Sequence, residues 1–98
     1  EKIQIDIVGI TKQLSNPGDP NALIDETLMR MYIYNLTDEG KAQLKNILLS
    51  GQSNDYYWTT AWNYYIDNPT NSDAYLLIYY RLAEMYRRIM QLEEYQLM

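Results

Sequence analysis

Aromatic rings are the most concentrated chemistry in this sequence. Tyr56, Tyr57, Trp58, Trp62, Tyr64 and Tyr65 fall within ten positions, in a chain of 98 residues that holds 11 Tyr and 2 Trp. Such rings bury large areas, hydrogen-bond through a phenol or indole tip, and recur at the centres of protein interfaces. Successive helical residues point about 100° apart, so one helix face cannot bury all six. Three uses are open: a core of Trp58, Trp62 and Tyr65 with phenol tips reaching water, an interface, or stacking against a sugar or other flat ligand. Tyr56, Tyr57, Trp58, Tyr64 and Tyr80 are the candidate binding residues for the last two. Tyr75, Tyr79 and Tyr86 pose the same question on a later segment.

Carboxylates are the remaining catalytic candidates, because the chain has neither His nor Cys. That absence removes the usual zinc ligand sets, disulfides, iron–sulfur clusters and nucleophile triads built on His or Cys. Asp67 and Asp73 flank the polar run Asn68, Thr70, Asn71 and Ser72, an oxygen-rich loop of the kind that holds Ca²⁺. Pro69 sits where a ligand is wanted, and a solvated loop supplying helix caps is the better reading. Asp19 is likewise better used as a cap. Asp55 beside Tyr56, Tyr57 and Trp58 is the one neighbourhood suited to glycosidase-type chemistry, which needs a second carboxylate across a cleft. Gly9, Gly18, Gly40 and Gly51 are scattered and form no phosphate cradle. Arg81, Arg87 and Arg88 offer anion contacts, although positive charge near a helix C-terminus is favourable in its own right. No catalytic residue, metal site or cofactor is assigned.

Asp and Glu total 13 against 8 for Lys and Arg, a net charge of −5. A binder of nucleic-acid backbone needs clustered positive charge, so that partner is not expected. No apolar run approaches the length of a membrane span. The first residue is Glu1 and no apolar leader follows it, so the chain is expected to be part of a longer protein.

Four helices must position these groups. Asp19 as N-cap and Pro20 at the first turn open a helix over 20–34, with Ile24, Leu28 and Met31 on one face. Thr37 caps a second over 38–49, stopped by Gly51, with Leu44, Ile47 and Leu48 inward. A third covers 55–66 with Trp58, Ala61, Trp62 and Tyr65 on one face. The fourth runs over 72–91 with Ala74, Ile78, Arg81, Leu82, Met85, Ile89 and Leu92 inward, and the tail 92–98 forms a short final turn. Glu26–Arg30 and Glu84–Arg88 have the favourable i,i+4 order. Residues 2–8 alternate polar and apolar, which predicts a strand or an extended arm. The expected fold is all-α: two antiparallel helical hairpins in a small irregular bundle (residues 20–98), preceded by an extended arm and turn (1–19).

Asn21-Ala22-Leu23-Ile24-Asp25, Leu36-Thr37-Asp38-Glu39 with Leu44, and Arg81-Leu82-Ala83-Glu84-Met85-Tyr86-Arg87-Arg88 running into Leu92-Glu93-Glu94-Tyr95-Gln96-Leu97-Met98 share an order. Together they resemble the C-terminal end of a large, uncharacterised, mostly helical family of exported bacterial proteins. In that family the last helix ends on a Pro-Glu-Tyr-Gln pattern, and Glu93 stands here where the Pro would be. The resemblance covers about residues 20–98. It implies a secreted or periplasmic setting and carries no catalytic residues. The function expected is a non-catalytic structural or protein-interaction domain whose partner is the rest of its parent chain, another protein or a second copy. The alternatives are an aromatic-lined carbohydrate- or peptide-binding module, and the periphery of an enzyme whose active site lies elsewhere.

Overall fold

A computed structural model describes residues 6–97, with side chains through Leu92. Among them the chain is all-α, with α1 (Ile7–Lys12), α2 (Pro20–Arg30), α3 (Asp38–Leu48), α4 (Tyr56–Asp67) and α5 (Ser72–Leu97), and no strand.

Three helix starts follow from local chemistry. The Asp19 carboxylate accepts from the Asn21 N–H at 2.9 Å with Pro20 at the first position, and Thr37 Oγ1 accepts from the Gly40 N–H at 3.0 Å. Asn71 Oδ1 accepts from the N–H groups of Asp73 and Ala74 and caps α5, so the polar loop before α5 serves as a cap. Each cap satisfies N–H groups that the helix itself leaves without partners.

Helix ends depart from the sequence expectation. α2 stops at Arg30, four residues early, because Tyr32 adopts φ +60°. The Tyr32 N–H then donates to the Met29 carbonyl and the Ile33 N–H to the Leu28 carbonyl, closing a Schellman cap that also joins the buried Leu28 and Ile33. α3 ends the same way, but Ser50 at φ +55° takes the left-handed position expected of Gly51, which follows at φ +81°. A non-glycine residue in this region costs about 1–2 kcal/mol. Tyr32 is 81% exposed and has little packing to lose. Tyr32→Gly is expected to raise stability by about 1 kcal/mol, read as a higher urea midpoint, after the larger unfolded-state entropy of glycine is subtracted.

The extended arm is corrected in part. Residues 7–12 are helical, with Asp6 as N-cap accepting from the Gly9 N–H at 3.0 Å. A Cβ on Gly9 would stand 2.3 Å from Asp6 Oδ2, so a larger residue there obliges the capping carboxylate to shift. Val8 and Thr11 are buried, and α1 packs on α5. Residues 2–5 of the predicted strand lie outside the described residues. The separate C-terminal turn is also corrected, since α5 continues unbroken to Leu97.

α5 is the centre of the core and touches α1, α3 and α4, while α2 packs on α3. Ala74, Ile78, Leu82, Met85 and Ile89 form its buried stripe, with Arg81 and Leu92 at the margin. Facing them are Leu44 and Leu48 of α3 and Trp58, Ala61, Trp62 and Tyr65 of α4. Cross-links between helices are few. Lys41 meets Asp25 at 3.3 Å, and Asp55 joins Lys45 at 2.8 Å and the Asn21 amide at 2.9 Å. The expected Glu26–Arg30 pair forms at 3.0 Å. The Glu84–Arg88 pair does not: Arg87 takes Glu84, while Arg88 reaches across to Gln43 Oε1 on α3.

The Lys45 hydrogen bond, opposed by desolvation and aided by Asn21, holds the Asp55 carboxyl below its usual range. Glu26 is lowered too, first by the Ser15 N–H. A carboxyl with a lowered folded pKa contributes stability that is present above its unfolded pKa and lost as pH falls through the folded value. Unfolding midpoints are therefore expected to fall with acidification below about pH 4. Asp55→Asn should flatten that slope while changing the neutral-pH midpoint little, because exposed pairs contribute about 1 kcal/mol or less.

Candidate functional site

α4 begins at Tyr56, where Asn54 Oδ1 accepts from the Tyr56 N–H at 3.0 Å. Its aromatic residues then divide by helical phase. Trp58, Trp62 and Tyr65 turn inward, and the Trp58 indole N–H donates to the Pro17 carbonyl at 2.8 Å. Thr59 Oγ1 donates to the Gly18 carbonyl at 2.6 Å, so two adjacent side chains tie the 15–19 turn to α4. Trp58, a candidate binding residue in the sequence, is fully buried and is withdrawn from the surface.

The other candidates lie outside. Tyr56 is 58% exposed, Tyr57 44%, Tyr64 46% and Tyr80 62%. The rings of Tyr56 and Tyr57 are 5.2 Å apart, and the Tyr64 hydroxyl accepts from Asn71 Nδ2 at 3.4 Å. Leu76 and Leu77 are exposed on α5 close in sequence to Tyr80. They were missed as candidates, although their positions fall off the stripe 74–78–82–85–89 and so signalled an outward apolar face. The molecule measures 42 × 40 × 23 Å, and 23 Å is about two helix diameters. A slab this thin leaves every helix with an outer side, so aromatic residues distributed around α4 and α5 cannot all be covered.

Buried and exposed rings are joined. Centroid separations run Trp58–Trp62 5.9 Å, Trp62–Tyr65 5.8 Å, Tyr65–Tyr75 6.1 Å, Tyr75–Tyr79 5.8 Å and Tyr79–Tyr80 5.6 Å. The Tyr75–Tyr79 pair is stacked and Tyr79–Tyr80 is edge-on. Lys12 Nζ stands 5.7 Å from the Tyr65 ring centre, a cation–π contact from α1. Burial, with smaller effects from Asp6, Tyr79 and Tyr65, raises the Tyr75 pKa above that of a free phenol.

No family model, curated protein or solved structure matches the chain.

Two clefts are lined by none of Tyr56, Tyr57, Tyr64 and Tyr80. A cleft of about 370 Å³ is lined by Ile24, Asp25, Asp38, Lys41 and Lys45, among others, and one of about 500 Å³ by Asp19, Asn21, Asp55, Thr59 and Asn63, among others. Asp55 borders the second, but its carboxylate is engaged by Lys45 and Asn21, and Asp19, the other acidic residue on that cleft, is engaged as the α2 cap by the Asn21 N–H. Among the described residues no three acidic side chains come together as a metal site requires. Arg81 is engaged as well: its Nη1 donates to the carbonyls of Leu48 at 3.2 Å and Tyr57 at 3.4 Å. The surface of α4 and α5 thus offers apolar and phenolic contact area.

Proposed function

We propose that this chain is a non-catalytic interaction domain that presents the outer aromatic face of α4 and α5 to another protein surface. One observation carries the reading: Tyr56, Tyr57, Tyr64 and Tyr80 are exposed together with Leu76 and Leu77, on the two helices whose inner faces already hold the core. Apolar and aromatic area that a small core does not need is a mark of association. The resemblance to the C-terminal end of exported bacterial proteins adds a setting, secreted or periplasmic, and a partner, the remainder of a longer chain. The scaffold in this reading is two antiparallel hairpins, α2–α3 and α4–α5. Supporting it, Asp25 meets Lys41 while Asn21, one turn earlier, meets Lys45 through Asp55, and Tyr65 meets Tyr75 while Tyr57 meets Arg81.

A face of this kind, uncovered, associates with its own copies. Sedimentation velocity over a range of concentrations is expected to show self-association that Tyr57→Ser with Tyr80→Ser abolishes. The same double variant should keep its urea midpoint, because surface substitutions change stability by only about 0.5 kcal/mol. A wild-type chain that stays monomeric, or a double variant that unfolds markedly earlier, would assign these rings to the fold instead.

A further inference from the structure

We propose that the six-ring chain Trp58–Trp62–Tyr65–Tyr75–Tyr79–Tyr80 is a relay that moves one-electron oxidation from the buried indoles to the surface phenol of Tyr80. Adjacent ring centres are 5.6 to 6.1 Å apart throughout, which puts each ring in contact with the next. Both Trp residues of the protein stand at one end of it. The chain crosses from α4 to α5 at the Tyr65–Tyr75 step and ends on a ring that is 62% exposed.

Direction comes from the proton. A phenol gives up an electron readily only if it also gives up its proton. Tyr75 is half-buried, and that burial favours its protonated form, whereas Tyr80 is 62% exposed to water. The oxidant class is a small one-electron radical, and the azide radical serves as the probe. It takes an electron from Trp62, the indole that keeps some exposed surface, and leaves as azide anion, and the indole radical cation releases its proton to water. An electron then passes inward along the rings while Tyr80 releases its phenol proton to water. The indole recovers one electron and one proton, and a phenoxyl radical remains at Tyr80. Two such radicals on separate chains join through a carbon–carbon bond ortho to their oxygens, and the displaced ring hydrogens move to the oxygens.

Pulse radiolysis in azide solution tests this, because the azide radical oxidises indole in preference to neutral phenol. In the wild type the indolyl absorption should decay as the tyrosyl absorption rises, in one first-order step whose rate is independent of protein concentration. Tyr75→Phe keeps a packed ring but removes an oxidisable group, and should slow that step at least tenfold. Tyr64→Phe, outside the chain, should leave it unchanged. If Tyr75→Phe does not fold, as judged by circular dichroism, Tyr65→Phe takes its place. An unchanged rate in the relay variant, or equal slowing in Tyr64→Phe, overturns the proposal. Cross-linked dimers should carry dityrosine at Tyr80. Cross-links confined to Tyr32 and Tyr34, the most exposed phenols, overturn it as well.

Discussion

Trp58→Ala is expected to remove about 4–6 kcal/mol of stability. Replacing a buried Trp by Ala costs about 3–5 kcal/mol through lost transfer energy and the cavity left behind. Trp58 has no exposed surface and packs tilted against Trp62, so the full cost applies. The half-buried Pro17 carbonyl, which accepts from the indole N–H, also loses its partner, and that adds about 1 kcal/mol. A domain of this size has a total stability of about 5–15 kcal/mol, so the variant stands at the edge of unfolding at room temperature. Urea unfolding followed by circular dichroism reads the change. Trp58→Phe separates the two contributions: it keeps most of the ring and should lose about 1–2 kcal/mol, mainly from the hydrogen bond. A loss below 1 kcal/mol in Trp58→Ala would mean that the α4 core does not depend on this ring.

Arg81→Ala should cost about 2–3 kcal/mol, an unusual amount for an Arg with no carboxylate partner among the described residues. Burial lowers the Arg81 pKa, so the fold pays to desolvate the guanidinium. The compensation is two carbonyls. Leu48 is the last residue of α3, where carbonyls lack helical partners and the negative end of the helix dipole gathers. Tyr57 lies in the first turn of α4. One side chain of α5 thus fastens the end of α3 to the start of α4. Hydrogen bonds from a charged donor contribute about 1.5–3 kcal/mol, and the aliphatic stem adds packing. Arg81→Met retains the stem and should recover about a third of the loss. Lysine lacks the planar fork and should do no better than methionine. Thermal unfolding of the three variants gives the order, and an Arg81→Ala midpoint equal to wild type would refute the fastening role.

The helix starts were legible because they are local. Asp19-Pro20 and Thr37-Asp38-Glu39 specify caps within one turn, and the structure forms both. The inward faces were legible for the same reason: Trp58, Ala61, Trp62 and Tyr65 share one helical phase, and all four are buried. What escaped depends on contacts distant in sequence. Ile3, Ile5 and Ile7 alternate as in a strand, yet residues 7–12 become helical because α5 offers Val8 and Thr11 a place to bury. Arg88 has an acidic neighbour one turn back and still turns to Gln43, which only the packing of α3 on α5 brings near. The end of α2 required Tyr32 to enter a conformation its side chain disfavours, and the burial of Ile33 against the core drives it there. Among the candidate surface residues, helical phase separated exposed Tyr57 and Tyr64 from buried Trp62 and Tyr65. It could not place Tyr75 beside Tyr65, a contact between two helices.

The position of α5 in the chain bears on how the protein is made. α1, α3 and α4 all rest on a helix that follows them in sequence. During synthesis they leave the ribosome before the surface they cover exists, and short isolated helices are marginal in water. The core closes only after the stripe from Ala74 to Ile89 has emerged. Until then Leu44, Trp58 and Trp62 are open to chaperones and to neighbouring nascent chains. A pause in synthesis before that stripe has cleared the ribosome would hold the chain in that vulnerable state, so translation speed over that interval becomes a determinant of yield.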